Sequence, residues 1–331
     1  MVESIGKIKE IGGYFGLEDT EDVHFSDPKG ILLNTARNAL EYILKSIGSV
    51  RKIYLPYYTC EVVLEPVKRL NIPFQFYNIN CDFEMETDIV PEDSEYIIVN
   101  NYFGIKDDYI NRMASLYGDR LIIDNAQALF APVIPDTKSF YSLRKFIGVA
   151  DGGIAAGVEN DAYLSLPFEQ TETHNKHLYI RKEFGAEAGF SEYRENEGKL
   201  DNQPIRRMSE YTSGIFQHVN LEKVVETRRN NYAYLEKCLS SSNKLKLPPL
   251  NSFYAPMVYP YLPEGDIDLR GILISKKIFV ARYWPNVLEW APECSLEFYF
   301  ANNIIPLPID QRYGIGDMQR IADLIQENLE Y

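Results

Sequence analysis

The sequence predicts an α/β fold with a mostly parallel sheet, built as a large domain followed by a smaller one. The chain of 331 residues is longer than one hydrophobic core usually serves. In its first half, short apolar segments typical of strands alternate with segments of helical periodicity, which is the pattern of βαβ units. Two of these strands end in polar clusters, and open α/β sheets bind their ligands at such strand ends.

Composition excludes several classes of function. The net charge of −14 disfavours nucleic-acid binding, which needs a basic patch, and docking to anionic membranes. No segment approaches the roughly 20 apolar residues that cross a bilayer, and the first residues do not resemble a signal peptide. The scattered cysteines predict reduced thiols in a cytoplasmic protein. His174 and His177 lie in a polar segment without a third nearby ligand, so no metal site is predicted.

The first helix is predicted within residues 29–48, where apolar residues recur at helical spacing after Gly30. Asn34 or Thr35 is available as its N-cap, and Arg37 lies in its first turn. The start of a helix can bind an anion, because its first amides are unpaired and its dipole is positive there. A capped surface helix explains the same pattern equally well.

Strands and helices then alternate up to residue 124. The predicted strands are 52–56, 74–77, 96–100 and 121–124, and the predicted helices end near Val67 and span 109–116. The last two strands lead into the polar clusters 100–104 and 124–127. Because parallel strands end at the same edge of a sheet, both clusters are expected to face one ligand site.

Lys145 lies between Ser142 and the glycine-rich turn Asp151-Gly152-Gly153, and an apolar strand follows at 154–158. A lysine on such a turn could form an imine with an aldehyde cofactor. Most lysines, however, are solvated surface charges.

The second half is predicted to contain a polar excursion at 159–205 and one long helix from Arg207 to about Cys238. Strands are expected near 254–261, 278–283 and 304–307, and helices near 268–277 and 315–329. We therefore place a large domain at 1–220 and a small C-terminal α/β domain at 221–331.

Short motifs along nearly the whole chain carry a family resemblance. They lie at 11–15, 35–40, 55–60, 101–104, 123–128, 206–209 and 307–310. They resemble the motifs of the DegT/DnrJ/EryC1/StrS sugar aminotransferases, a branch of the fold-type-I enzymes that use pyridoxal 5′-phosphate. The most specific match is Ile123-Asp124-Asn125-Ala126-Gln127-Ala128, which is similar to the Asp-x-Ala-Gln signature of that family.

The resemblance implies a role for each residue of the site. Asp124 would pair with the pyridine nitrogen and keep it protonated, since a cationic ring is the electron sink; a capping Asp after a strand is the structural alternative. Gln127 would hydrogen-bond the phenolic oxygen. Lys145 would form the imine with the cofactor and move the proton as general base.

The resemblance also assigns residues around the cofactor and the substrate. The phosphate would be held by Ser142 and the backbone amides of Ala36 and Arg37. Tyr57, Tyr58 or Cys60 would lie near the face of the ring. The residues assigned to the substrate are Tyr14, Tyr102, Tyr283 and Trp284. Core packing explains any one aromatic residue of the C-terminal unit equally well.

The sequence departs from the family pattern at four places, one of which is the Asn that precedes Arg-Met in the family, where Ile205 or Arg206 stands here. The first departure concerns the position of the lysine that binds the cofactor. The family's spacing counted forward from Ser139 puts this position at Arg144, whereas the spacing counted back from Gly152 and Gly153 puts it at Lys145. We choose Lys145, because Ser142 then stands three residues before the lysine, as in related fold-type-I enzymes. In addition, Ala36 and Arg37 replace the Gly and Thr of the phosphate loop, so that Arg37 could itself bind the phosphate. Cys60 takes the place of the ring-stacking aromatic residue.

The resemblance thus predicts a cytoplasmic aminotransferase that moves an amino group from glutamate to a nucleotide-linked keto sugar. It further implies a homodimer with shared active sites, in which the segment 165–205 and the helix from Arg207 supply the contacts. A dehydratase or a non-sugar aminotransferase of the same fold, or a non-catalytic dimeric relative, remains an alternative. A Rossmann dinucleotide enzyme is disfavoured, because no Gly-x-Gly-x-x-Gly follows the first strand.

Overall fold

The computed structural model describes residues 8–24, 29–159, 162–170, 175–265 and 267–329. The strands are β1 (Ile11–Gly12), β2 (Ile31–Leu33), β3 (Lys52–Pro56), β4 (Phe74–Tyr77), β5 (Glu95–Asn100), β6 (Leu121–Asn125), β7 (Lys138–Ser142), β8 (Gly153–Ala156), β9 (Val258–Tyr261), β10 (Ile278–Phe279) and β11 (Ile305–Pro308). The helices are α1 (Ala36–Ile47), α2 (Leu64–Arg69), α3 (Asp107–Tyr117), α4 (Lys176–Phe184), α5 (Phe190–Lys199), α6 (Glu210–Gln217), α7 (Leu221–Leu239), α8 (Leu269–Ser275), α9 (Val287–Trp290), α10 (Leu296–Asn303) and α11 (Ile315–Leu329).

A seven-stranded sheet in the order β2-β8-β7-β6-β5-β3-β4 forms the centre of the large unit. The pairs β3–β4, β3–β5, β5–β6 and β6–β7 are parallel, whereas β8 pairs antiparallel with both β7 and β2. The predicted mostly parallel sheet is therefore confirmed. The parallel strands end at one edge, where Asn100 of β5 is in register with Asp124 of β6.

Helices cover both faces of this sheet, which gives three layers. Ile98 and Ile122 pack with α1 and α2 in one apolar cluster. Their neighbours Ile97 and Ile123 face the opposite side and pack in the cluster that contains α3 and α7. This alternation follows from the period of two in a strand, and burial on both faces explains why these strands are continuously apolar.

The sequence predicted most elements of the large unit correctly, and β3 and β4 have the predicted bounds. The helix predicted within 29–48 has one of its two predicted N-caps, Thr35, but the apolar residues before it, Ile31–Leu33, form a strand paired with β8. The helix begins at Ala36, where the Thr35 side chain accepts a hydrogen bond from the Asn38 amide at 3.1 Å. An apolar run of three residues fits either structure, and pairing with β8 decides for the strand.

The long helix predicted from Arg207 to Cys238 is two helices. Ser209 caps α6, and Asn220 starts α7 by accepting a hydrogen bond from the Lys223 amide at 3.1 Å. Asparagine at an N-cap competes with continuation of the preceding helix, which explains the break. In the polar excursion, the described residues include α4 and α5, which pack against each other.

The C-terminal unit contains the antiparallel pair β9–β11 and a second small sheet in which β1 pairs with β10. The strands predicted there are present: β9 and β10 are shorter than predicted, and β11 begins and ends one residue later than predicted. The helices α9 and α10 were not predicted. The N-terminal strand thus contributes to the C-terminal sheet. The domain boundary near residue 220 stays a prediction. Among the residues described, none of the helices has the length and apolar character required to span a bilayer.

Candidate active site

Two adjoining cavities lie at the edge of the sheet where the parallel strands end. The larger has a volume of about 910 Å³ and the smaller about 170 Å³. The residues that line both are Cys60, Gln127, Ser142, Arg144, Lys145, Glu197 and Trp284. Asp124, Ala36 and Arg37 line the smaller cavity, whereas Tyr14 and Tyr283 line the larger. The structure therefore brings most of the sequence-predicted site residues together.

Asp124 lies at the end of β6 in the smaller cavity and is only 8% exposed. Its carboxylate accepts a hydrogen bond from the Ala126 amide at 2.8 Å. Burial raises the pKa of Asp124 to about 6, although the positive charge of Lys145 and the Ala126 amide act in the opposite direction. A buried carboxylate of this kind is stabilised by a cation placed beside it.

Gln127 is held in one orientation by the loop that follows β5. Its Oε1 atom accepts a hydrogen bond from the Phe103 amide at 2.8 Å. Phe103 has a positive φ of 57°. With its oxygen engaged, the Gln127 side chain has its NH₂ group left to donate to a ligand in the cavities that it lines.

Lys145 lies on a short turn that leaves β7. The amides of Phe146 and Ile147 both donate to the Leu143 carbonyl, at 2.8 and 2.9 Å. The segment that leads from this turn into β8 is held in place by the buried Asp151. Its carboxylate accepts hydrogen bonds from the amide and the hydroxyl of Ser209, at 2.8 and 2.7 Å. Lys145 itself is exposed to the two cavities, and its charge is felt by both Asp124 and Cys60.

The start of α1 forms one end of the smaller cavity together with the buried Ser142. Its first-turn amides, at Ala36 and Arg37, have no partner within the helix. Gly153 of β8 packs directly against this backbone, so that a Cβ atom there would overlap with the Thr35 carbonyl and the Ala36 amide. The cavity end therefore offers amide donors and a hydroxyl, which is a favourable arrangement for an anion.

Arg37 is engaged elsewhere in addition to lining the cavity. Its guanidinium forms ion pairs with Glu65 and Asp201, each at 2.7 Å. These two carboxylates compensate its charge, which argues for a structural contribution and against Arg37 as the main anion ligand. The amides of the helix start are the remaining candidate donors for an anion at this end of the cavity.

Tyr58 and Tyr102 do not line either cavity, in contrast to the sequence prediction. Both are nearly completely buried in an aromatic cluster, where the Tyr102 hydroxyl donates to the Tyr58 carbonyl at 2.7 Å. Tyr58 packs edge-on against Trp284 at 4.7 Å. The apolar surroundings explain their position, and Cys60 is the residue of this segment that reaches the cavities. Burial raises the pKa of its thiol.

Several residues of the site were not found from the sequence. Glu197 of α5 forms an ion pair with Arg144, and Tyr193 stacks on Tyr14 with the ring centroids 4.5 Å apart. Both come from the polar excursion, in which no motif marked them. Arg228 lines the larger cavity from α7 and is fully buried. An arginine on the apolar face of an amphipathic helix was the available signal for it.

The predicted pair of histidines is only partly described. His174 lies outside the described residues. His177 is buried and lines the larger cavity, with its ring 6.2 Å from that of Tyr14. It therefore belongs to the cavity wall instead of the protein surface.

Comparison with solved structures identifies the fold. The chain is similar to Spr1654 from Streptococcus pneumoniae in its PLP form, with 15% identity, coverage of 97% of this chain and 99% of that chain, and a TM-score of 0.65. A DegT DnrJ EryC1 StrS aminotransferase from Brucella abortus is 16% identical, with coverage of 91% of this chain and 86% of that chain and a TM-score of 0.60. DesI in the presence of its TDP-sugar product is 16% identical, with coverage of 90% of this chain and 79% of that chain and a TM-score of 0.59. No protein-family model and no curated protein matches the sequence.

At these identities the likeness establishes the architecture. The chain has the fold-type-I arrangement of a large three-layer α/β unit with a mostly parallel sheet and a smaller C-terminal α/β unit. The predicted fold class is confirmed.

Proposed function

We propose that this chain is a pyridoxal phosphate-dependent aminotransferase of the DegT/DnrJ/EryC1/StrS type. It would transfer an amino group from glutamate to a nucleotide-linked keto sugar. The observation that carries the proposal is the convergence of Asp124, Gln127 and Lys145 on one cavity at the ends of β6 and β7. The likeness to an enzyme solved in a PLP form and to one solved with a TDP-sugar product supports the cofactor and the substrate class.

The residues of the smaller cavity fit the proposed cofactor. Asp124 is a buried carboxylate whose raised pKa calls for a neighbouring cation, which a protonated pyridine nitrogen would provide. The NH₂ group of Gln127 suits a phenolic oxygen. The amides at the start of α1 and the hydroxyl of Ser142 suit a phosphate. When bound, the cofactor supplies an aldehyde that condenses with amines and a ring that accepts electrons.

The side chains of this protein would have separate roles in the proposed reaction. Asp124 would hold a proton on the ring nitrogen and so keep the ring cationic. Lys145 would bind the aldehyde and, once displaced by a substrate amine, would move a proton at the reacting carbon as general base. The larger cavity, with Tyr14, Tyr283 and Trp284 in its wall, would receive the substrate and exclude water from it.

The proposal includes a cytoplasmic homodimer. Free cysteines agree with a reducing compartment. The excursion helices expose Phe184 and Phe190, at 68% and 52%, and Phe190 also lines the larger cavity. Apolar side chains of this size suit a contact with a second copy. Light scattering of the purified protein would measure the mass directly, and a monomer at all concentrations would contradict this part.

The experiment on the activity itself follows the visible absorbance of the bound cofactor. Wild-type protein mixed with pyridoxal phosphate should acquire a visible absorbance band from the bound cofactor. Lys145→Ala protein should not acquire this band, because the aldehyde then has no amine to bind. Lys45→Ala, at an exposed position of α1, is the matched control and should keep it. Glutamate should bleach the wild-type band, and a keto-sugar nucleotide should restore it.

The outcomes separate the alternatives. A wild-type protein that stays colourless in excess pyridoxal phosphate would contradict the proposal and favour a non-catalytic relative. A band that glutamate leaves unchanged would favour a dehydratase, which needs no amino donor.

A further inference from the structure

Arg144 and Lys145 are the two cationic side chains, within the part of the chain that the structure describes, that line both cavities. Arg37 lines only the smaller cavity, and Arg228, Arg282 and Arg312 line only the larger one. Arg144 is therefore the cation placed beside Lys145 at the boundary between the two spaces.

The guanidinium of Arg144 has one carboxylate partner and unused donors. It forms an ion pair with Glu197 of α5, and the two side chains are 18% and 39% exposed. Its Nε atom is buried and makes no hydrogen bond to any residue that the structure describes. Since a guanidinium carries five N–H donors in a planar fork, Arg144 retains the capacity to bind a second carboxylate.

Two of the other arginines of the larger cavity already have partners within the protein, whereas Arg282 is exposed and lines only the larger cavity. Arg312 is paired with Asp310 at 2.7 Å. Arg228 donates to the Met257 carbonyl at 2.9 Å and to Gln311 at 3.0 Å. Both are thereby committed to the framework of the protein.

We propose that Arg144 binds the carboxylate of the amino donor and so selects amino acids as donors; this inference rests on the proposed function. In an α-amino acid the amine and the carboxylate are attached to the same carbon. A donor whose nitrogen reacts beside Lys145 must therefore place its carboxylate at the boundary of the cavities, where Arg144 lies. Arginine is the side chain whose geometry matches a carboxylate best.

Glu197 gives this contact a second function. Without the donor it compensates the charge of Arg144, and the donor carboxylate takes over that role when it binds. A keto sugar has no carboxylate on its reacting carbon and leaves the Arg144–Glu197 pair in place. One site can therefore accept two unlike substrates in turn by exchanging one carboxylate for another.

The test compares donors with and without a carboxylate on Arg144→Gln protein loaded with pyridoxal phosphate. The variant should keep the visible band, because Lys145 is intact. Bleaching by low concentrations of glutamate should slow by roughly 10- to 100-fold, the range for a lost hydrogen bond to a charged group. The spectral change with propylamine, which has no carboxylate, should proceed as in the wild type. Arg144→Lys should restore part of the glutamate rate.

Glu197→Gln should change the rate of bleaching by glutamate in the opposite direction. Because it removes the competing carboxylate, low concentrations of glutamate should bleach its band faster than that of the wild type. Three results would overturn the inference: an unchanged glutamate rate in Arg144→Gln, an equal loss with glutamate and propylamine, or a loss seen in Arg282→Gln instead. A failure of the proposed function is recognised separately, since the wild type would then acquire no band or would not react with glutamate.

Discussion

Asp124 occupies a position that costs stability when its carboxyl is charged. Burial raises its pKa to about 6, compared with an ordinary value of about 3.9. Between these two values the folded protein binds the proton more tightly than the unfolded chain does. Stability therefore decreases as the pH rises through that window. The same buried carboxylate is what a cationic ring would be attracted to.

Asp124→Asn should make the cofactor-free protein more stable near pH 7. The expected gain is up to about 2–3 kcal/mol, because the neutral amide avoids the cost of burying a charge. The gain should vanish near pH 4, where Asp124 is protonated. Urea unfolding of both proteins at the two pH values measures it, and a difference that does not change with pH would contradict the assignment. The visible band with pyridoxal phosphate should weaken in the variant.

At the scale of elements, the contact between β8 and α1 positions the helix start in the smaller cavity. It depends on Gly153, because the backbone of Thr35 and Ala36 occupies the space that a side chain would need. Only a residue without a Cβ allows the helix to approach the strand so closely. The end of the smaller cavity and the sheet thus depend on the same contact.

Gly153→Ala should displace the start of α1, destabilise the protein by about 1–3 kcal/mol as overpacking does, and weaken phosphate binding. Thermal unfolding and titration with pyridoxal phosphate measure the two effects. Gly214→Ala in α6 is the matched control, since nothing lies within 4 Å of the added methyl group. It should stabilise the protein by up to about 1 kcal/mol through helix propensity. Equal effects of the two variants would contradict the packing argument.

The sequence was a good guide to elements whose pattern is local. The strand period and the Asp-x-Ala-Gln motif located β6 and Asp124 correctly. The apolar run of β2 could not be assigned from the sequence, because its pairing with β8 is a long-range contact. The same holds for the pairing of Arg144 with Glu197, which is 53 positions away. Tyr58 and Tyr102 were misplaced because an aromatic residue near a strand end can point to the core or to the cavity.

At the scale of the whole molecule, Arg228 connects the C-terminal unit to the loop that carries Lys145. From α7 it donates to the Met257 carbonyl at 2.9 Å, to Gln311 at 3.0 Å and to the Phe146 carbonyl at 3.4 Å. Its guanidinium also lies 4.7 Å above the Phe146 ring. Burial lowers its pKa to about 10, so that it remains charged at neutral pH. The cation therefore joins parts of the chain that are far apart in sequence.

Arg228→Ala should destabilise the protein by roughly 2–5 kcal/mol, because several buried acceptors lose their donor together. Arg229→Ala is the control on the same helix. Arg229 also donates to two carbonyls, those of Phe253 and Tyr254, but one of these contacts is exposed, and its loss should cost about 1 kcal/mol or less. Chemical denaturation of both variants measures the difference. Similar losses would show that the burial of Arg228 is not what matters.

The pairing of β1 with β10 has a consequence for the order in which the protein folds. The Gly12 amide donates to the Tyr313 hydroxyl across 301 positions of the chain, and contacts of such separation form slowly because a long loop must close first. Gly12, Gly13 and Tyr14 are also part of the wall of the larger cavity. That wall is therefore expected to form after the sheet that carries Lys145, so that a newly made chain acquires the smaller cavity before the larger one.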